Sequence, residues 1–251
     1  MEAADGIGRI TLARPEKKNA LDEQAATELS AALGQFATDD DVRVVLLAAD
    51  GKDFCAGADL EALERSLGAD STAQLRDAEA LGAVFRAMRE LPQPVVAAVR
   101  GRALAGGAGL ATACDIVVAS DDARFGYPEV GVGFVPAMVM TMLRRAVGEK
   151  RAFDLVATAR IVHAHEALSI GLVSQVVPES SFDEAVEAIV TRLAASPPAA
   201  LRLTKRLFYD LDSLDFDAGV ALGERVNVEA RATDDFRDGV RRFVARGKSR
   251  S

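Results

Sequence analysis

Three stretches of the chain are apolar at nearly every position and rich in valine: residues 42–49, 95–99 and 116–119. A strand that is polar on neither face is buried on both, as in a parallel sheet covered by helices. Between these runs the apolar residues recur at helical spacing, over residues 22–37 and 73–90, with a short helix opening near Gly106. The order strand, helix, strand predicts βαβ crossovers. Residues 6–12 read as one strand of a hairpin. Beyond about Val135 the pattern is almost wholly helical, with segments at 136–147, 149–157, 164–170, 182–195, 199–211, 215–231 and 234–245. Pro136 is expected in a first helical turn, where its missing N–H costs nothing. Asp22 and Ser181 are candidate N-caps, and Pro197-Pro198 separates two helices. The expectation is a twisted, mostly parallel α/β core over residues 1–195 and a helical region over 196–251.

Composition narrows the classes. With 251 residues, 49% hydrophobic and 27% charged, the chain is that of an ordinary globular protein. No apolar run approaches a membrane span, and residues 1–5 lack the basic and apolar regions of a signal peptide. A cytoplasmic location is expected, although an organellar protein stripped of its transit segment would read the same. Cys55 and Cys114 form neither a metal-type spacing nor a disulfide framework. The net charge of −8 argues against nucleic-acid binding, which needs a basic face. It leaves room for local phosphate contacts through Lys17, Lys18 or Lys52, each of which reads equally well as solvated surface.

His163 and His165 sit at a helix entry, with no Gly-x-Ser-x-Gly elbow and no His-Glu-x-x-His elsewhere. Serine-hydrolase and most metal mechanisms are thereby disfavoured. No Gly-x-Gly-x-x-Gly follows an early strand, which removes a dinucleotide-binding reading.

The chemistry concentrates in three segments. One reads Phe54-Cys55-Ala56-Gly57-Ala58-Asp59-Leu60 and the next Gly101-Arg102-Ala103-Leu104-Ala105-Gly106-Gly107-Ala108-Gly109-Leu110; Phe125-Gly126-Tyr127-Pro128-Glu129 follows. Each glycine cluster comes after a strand-like run and opens into a helix-like one. Backbone N–H groups are then free at a helix start, where they can hold an anion or a developing oxyanion. Two such clusters and one carboxylate suggest an enzyme that polarises a carbonyl and moves a proton beside it. Asp59 reads as the cap of the helix that follows, and Asp115 as a turn or packing carboxylate. Tyr127 reads equally as a hydrogen-bond donor to Glu129 and as a core residue. The apolar neighbours Val130, Val132, Phe134 and Val135 suggest that Glu129 is partly buried.

In this order the segments resemble the crotonase superfamily, the enoyl-CoA hydratase/isomerase family. The resemblance runs from residues 9–21 through 92–101 to the helical tail. It implies a crotonase-like (ClpP/crotonase) α/β fold and an acyl-CoA thioester substrate, with coenzyme A as part of that substrate and no tightly bound cofactor or metal. The Ala58 and Gly106 N–H groups would form the oxyanion hole and Glu129 would be the acid/base. Lys52, Ala56, Asp59, Leu60, Gly107, Phe243 and Arg246 would contact substrate or coenzyme A, the last two often from a neighbouring subunit. Two-carboxylate hydratases of the family carry a second Glu where this chain has Gly109. One base suffices for a 1,3-allylic shift, so the reading leans to isomerisation with hydration close behind. A catalytically weak acyl-CoA-binding protein is the alternative, and acidity disfavours an RNA-binding member. Phe236, Val240, Phe243 and Val244 form a helical stripe that, with Met138, Met140, Met142 and Leu143, suggests a homotrimer or homohexamer.

Overall fold

The computed structural model describes residues 1–248; residues 249–251, the end of the expected 196–251 region, lie outside it. The hairpin at the start is β1 (Glu2–Ala4) and β2 (Ile7–Leu12), joined through Asp5 and Gly6 at positive φ. α1 (Glu23–Ala37) follows, and the Asp22 carboxylate caps it by accepting from the Ala25 N–H at 2.8 Å. Next come β3 (Val44–Ala49), α2 (Leu60–Ser66), α3 (Ser71–Glu90), β4 (Val95–Val99), β5 (Arg102–Leu104), α4 (Gly106–Ala113) and β6 (Ile116–Ser120). β7 (Arg124–Gly126), α5 (Val139–Val147), α6 (Glu149–Thr158), β8 (Val162–His163), α7 (Ala164–Ser169) and β9 (Gln175–Val177) lead to the last four helices. These are α8 (Phe182–Ala194), α9 (Pro198–Asp210), α10 (Phe216–Ala232) and α11 (Asp234–Lys248).

The larger sheet has the order β1-β2-β3-β4-β6-β9 and is parallel except at its β1 edge. Its central strands β3, β4 and β6 are buried on both faces. Val45, Leu47, Val95, Ala97 and Val117 face the layer that contains α1, α3 and α4, whereas Val44, Leu46, Val96, Ala98 and Val118 pack under Phe182, Val186 and Val190 of α8. Alternate residues thus fill two cores, which is why no polar position interrupts the runs.

A second sheet, β5-β7-β8, is absent from the sequence reading, as is β9. These strands have two or three residues, too few for a period to show. Two of them also break the helical pattern expected after Val135. α5 starts at Val139 rather than Pro136, because a tight turn closes first, the Ala137 N–H donating to the Val135 carbonyl at 2.7 Å. Ser181 does not cap α8; its hydroxyl donates to the Pro178 carbonyl at 3.3 Å. Nor is α5 a spare apolar surface: Leu143 is fully buried, and Met138, Met140 and Met142 pack half-buried on the chain's own core.

A buried polar clamp fixes α9 to the core. The Lys205 ammonium donates to the Met88 and Gln93 carbonyls at 2.9 Å each and pairs with Asp115 at 2.8 Å. Asp115 also accepts from the Val95 N–H and the Tyr209 hydroxyl, both at 2.6 Å. Burial lowers the Lys205 pKa, and Asp115 partly opposes that shift. Asp115 is therefore the packing carboxylate its position suggested.

Candidate active site

The two glycine segments are laced together by backbone hydrogen bonds. The Cys55 N–H donates to the Arg102 carbonyl at 3.0 Å, and the Leu104 N–H to the Cys55 carbonyl at 2.9 Å. Gly107 lies so close to this lacing that a β-carbon on it would sit 2.2 Å from the Cys55 carbonyl oxygen. No side chain fits there. On the other side of the segment, the Leu21 N–H donates to the Gly57 carbonyl at 2.7 Å and the Asp59 N–H to the Leu21 carbonyl at 2.8 Å. Ala58 is held between them, yet its own N–H meets no acceptor among the described residues. The same holds for the Gly106 N–H, at the first position of α4, where no intrahelical partner exists. The fold thus supplies two free amide donors on adjoining segments. A β-carbon on Gly57 would lie only 3.5 Å from the Gly106 nitrogen.

The third segment joins through the small sheet. Leu104 pairs with Gly126, and the Ala105 N–H donates to the Gly126 carbonyl at 2.8 Å. Glu129 follows three residues later in a 3-10 turn, Pro128–Val132. It is 9% exposed, and its Oε2 is buried with no hydrogen-bond partner among the described residues. Burial pushes its carboxyl above the ordinary glutamate range. The expected burial is present, but its expected cause is not: Val130, Val132, Phe134 and Val135 are all exposed. Tyr127 bonds Thr112 of α4 at 2.9 Å, and the Thr112 hydroxyl donates to the Ala108 carbonyl at 2.6 Å. Tyr127 is thus a core residue that ties the Glu129 turn to α4.

Gly109 is enclosed. A β-carbon there would lie 2.3 Å from Val139 Cγ1 and 3.1 Å from Phe85 Cζ. The space a side chain at position 109 would enter is filled by a buried valine and a buried phenylalanine. Sequence reasoning flagged Gly109 but not Val139, thirty positions away on another helix.

The remaining site residues divide. Asp59 is buried and turned inward: its Oδ1 accepts from the Glu61 and Ala62 N–H groups, and its Oδ2 pairs with Arg14 at 3.0 Å and Lys17 at 3.3 Å. Burial opposes its charge, but these donors and Lys17 hold its carboxyl below the usual range. Its carboxylate is thus a cap and an ion-pair hub, leaving only backbone for a ligand. Ala56 is half-buried, and Lys52, Ala58 and Leu60 are exposed. Phe243 and Arg246 lie exposed on α11, which packs against α9 and α10, so within this chain they are not gathered with the glycine segments. His163 and His165 are exposed. A cavity of about 580 Å³ opens at the other end of α4, between α3, α5 and α9. Phe85 is its wall toward Gly109, and Ala58, Gly106 and Glu129 do not line it.

Comparison with known proteins identifies the family. The family model described as enoyl-CoA hydratase/isomerase matches residues 2–250. A Thermus thermophilus protein carrying the provisional name enoyl-CoA hydratase is 42% identical over 237 residues, covering 94% of each chain. The short-chain-enoyl-CoA hydratase of Clostridium acetobutylicum is 35% identical over 251 residues, covering 99% of this chain and 95% of that one. The crystal structure of an enoyl-CoA hydratase of Mycobacterium smegmatis superposes with a TM-score of 0.94 at 34% identity, over 98% of this chain and 95% of the other. The chain belongs to the enoyl-CoA hydratase/isomerase family of the crotonase superfamily and has its fold.

Proposed function

We propose that this chain is an acyl-CoA enzyme in which the Ala58 and Gly106 amides hold the thioester oxygen and Glu129 is the acid/base that carries the proton. In the favoured reaction a 3-enoyl thioester loses a proton from C2 to the Glu129 carboxylate. The resulting dienolate places its charge on the thioester oxygen, where the two amides stabilise it. Removing one such donor costs about 10²–10³-fold in kcat in measured cases. Glu129 then delivers the same proton to C4, giving the 2-enoyl thioester. A raised pKa suits a group that must both take and return a proton. The observation that carries the isomerase reading is the filling of the Gly109 space by Val139 and Phe85, which leaves no room there for a second carboxylate to activate a water. The names of the relatives favour hydration, and it is the second reading.

Lys52 is proposed to contact coenzyme A phosphate, and Phe243 and Arg246 to reach the cofactor of a neighbouring subunit in a trimer or hexamer. The exposure of Phe236, Val240, Phe243 and Val244 supports an interface on α11. The bacterial relatives support a cytoplasmic setting.

The deciding assay presents crotonyl-CoA and 3-hexenoyl-CoA separately in deuterated water. The expected outcome is 2-hexenoyl-CoA forming faster than crotonyl-CoA is hydrated, with Glu129→Gln slowing turnover about 10²–10⁴-fold. Faster hydration than isomerisation would overturn the preference. Activity of Glu129→Gln within threefold of the unmodified enzyme would remove Glu129 from the chemistry.

A further inference from the structure

Ala105 is the residue between β5 and α4, and its backbone is at φ 49°, ψ −123°. A β-carbon makes that region costly, and glycine is its ordinary occupant. The strain is held by both flanking peptides: the Ala105 N–H donates to Gly126, and the Ala105 carbonyl accepts from the Gly109 N–H at 3.0 Å. The ψ of this residue sets the plane of the 105–106 peptide, and hence the orientation of the Gly106 N–H. The Ala105 methyl also has a specific neighbour. A β-carbon built on Gly57 would fall 2.8 Å from it, so the methyl fills the space that Gly57 vacates. Gly57, itself at φ 95°, immediately precedes Ala58.

We infer that Ala105 is a positioning residue for the oxyanion hole, its methyl acting as a spacer between the segments that carry the two amide donors. This rests on the proposed roles of Ala58 and Gly106. A strained residue persists where its surroundings over-determine it, and here the surroundings are the parts that orient the donors. Glycine would adopt the same φ and ψ without strain. It would also leave the gap against Gly57 unfilled and free the 105–106 peptide to turn. The fold does not need the methyl, but the spacing of the donors does.

The test compares Ala105→Gly with Ala105→Ser, which keeps the β-carbon. In Ala105→Gly the melting temperature should stay level or rise while kcat falls about tenfold or more, because misplacement by about 1 Å can cost 10²-fold. KM should move less than threefold, and Ala105→Ser should retain kcat within about threefold. A loss of melting temperature in parallel with activity would instead mark Ala105 as a packing residue and overturn the inference. A second readout separates this proposal from the one beneath it. Difference infrared spectra of an acyl-CoA labelled with ¹³C at the thioester carbonyl should show a shift to lower frequency on binding, and a smaller one with Ala105→Gly. No shift in the unmodified protein would refute the oxyanion hole itself, and the inference with it. A shift that Ala105→Gly leaves unchanged, with unchanged kcat, would refute the role of Ala105 alone.

Discussion

Gly109 and Val139 should behave as one packing unit, and a double-mutant cycle measures that. Gly109 lies inside α4, where replacing glycine by alanine ordinarily stabilises by about 1 kcal/mol. Here the new β-carbon would meet Val139 Cγ1 at 2.3 Å, a separation that side chains do not tolerate. Overpacking costs about 1–3 kcal/mol, and so close an approach to a buried side chain puts it in the upper part, about 2–3, so Gly109→Ala should be destabilised by about 1–2 kcal/mol net. Val139 is 4% exposed. Val139→Ala removes two buried carbons at about 0.8 kcal/mol each plus a cavity term, or about 2–3 kcal/mol in all. Independent effects would sum to about 4 kcal/mol. In the double variant the alanine methyl enters the space the valine vacates, the clash disappears and the helix preference is regained. A total near 1 kcal/mol is expected, a coupling of about 2–3 kcal/mol. Urea unfolding at fixed protomer concentration, with equal m-values across the four proteins, gives the numbers. Additivity within about 0.5 kcal/mol would refute the packing argument, and with it the reason for favouring isomerisation. The same contact predicts that Gly109→Glu alone fails to place its carboxylate, and that hydration rises only when Val139→Gly is added.

Three further outcomes follow from the buried polar groups. The Glu129 pKa is raised in the folded state, so the folded chain binds the extra proton between the unfolded and folded values, and stability falls as pH rises through that window. Glu129→Gln should be more stable than the unmodified protein at pH 7 and equal to it below about pH 4, where both forms are neutral; a constant difference across pH would contradict this. Lys205→Ala strands two carbonyls and one side of Asp115, a loss of about 3–5 kcal/mol, and hydrogen exchange should show α9 opening before the sheet. Burial pushes the Cys55 thiol up to about 12 and that of Cys114 higher still, so a thiol reagent should label neither in the native protein and both in denaturant.

What the sequence made legible was what repeats or what is ordered. Val95–Val99 was read to the residue because every position is apolar, and α1 to within one residue because Asp22 marks its start. The three chemical segments stood out because glycines cluster and a Pro-Glu pair follows in fixed order. What stayed hidden depends on pairs distant in sequence. β5 and β7 are three residues each and become strands only by pairing with segments distant in sequence, β5 with β7 and β7 also with β8. The turn at Val135 consumed the residues that would have begun α5. The Asp59 carboxylate was read as the cap of the next helix, which it is, but its ion pairs with Arg14 and Lys17, more than forty positions earlier, were not legible. Glu129 was expected to be buried by its neighbours in the chain, which instead face outward. Val139 closes on Gly109 from a separate helix, and nothing local to either residue announces it.

The division between what is read and what is hidden follows the chemistry. Binding and polarising a thioester needs backbone amides, and these are set by glycines whose spacing is written locally. Choosing between returning a proton to carbon and adding water depends on what stands opposite the base. In the proposed site that place belongs to α4, while the wall against it belongs to α5 and α3. A small residue on one helix and a branched residue on the other decide whether a second carboxylate can enter. On this reading, two chains can share Gly57, Gly106, Gly107 and the Pro-Glu pair and still differ in reaction, because the choice lies at position 109 and in the packing against it rather than with the group that moves the proton. Similarity to relatives at 35–42% identity gives the family, and residues 85, 109 and 139 are where the proposed preference for isomerisation would be decided.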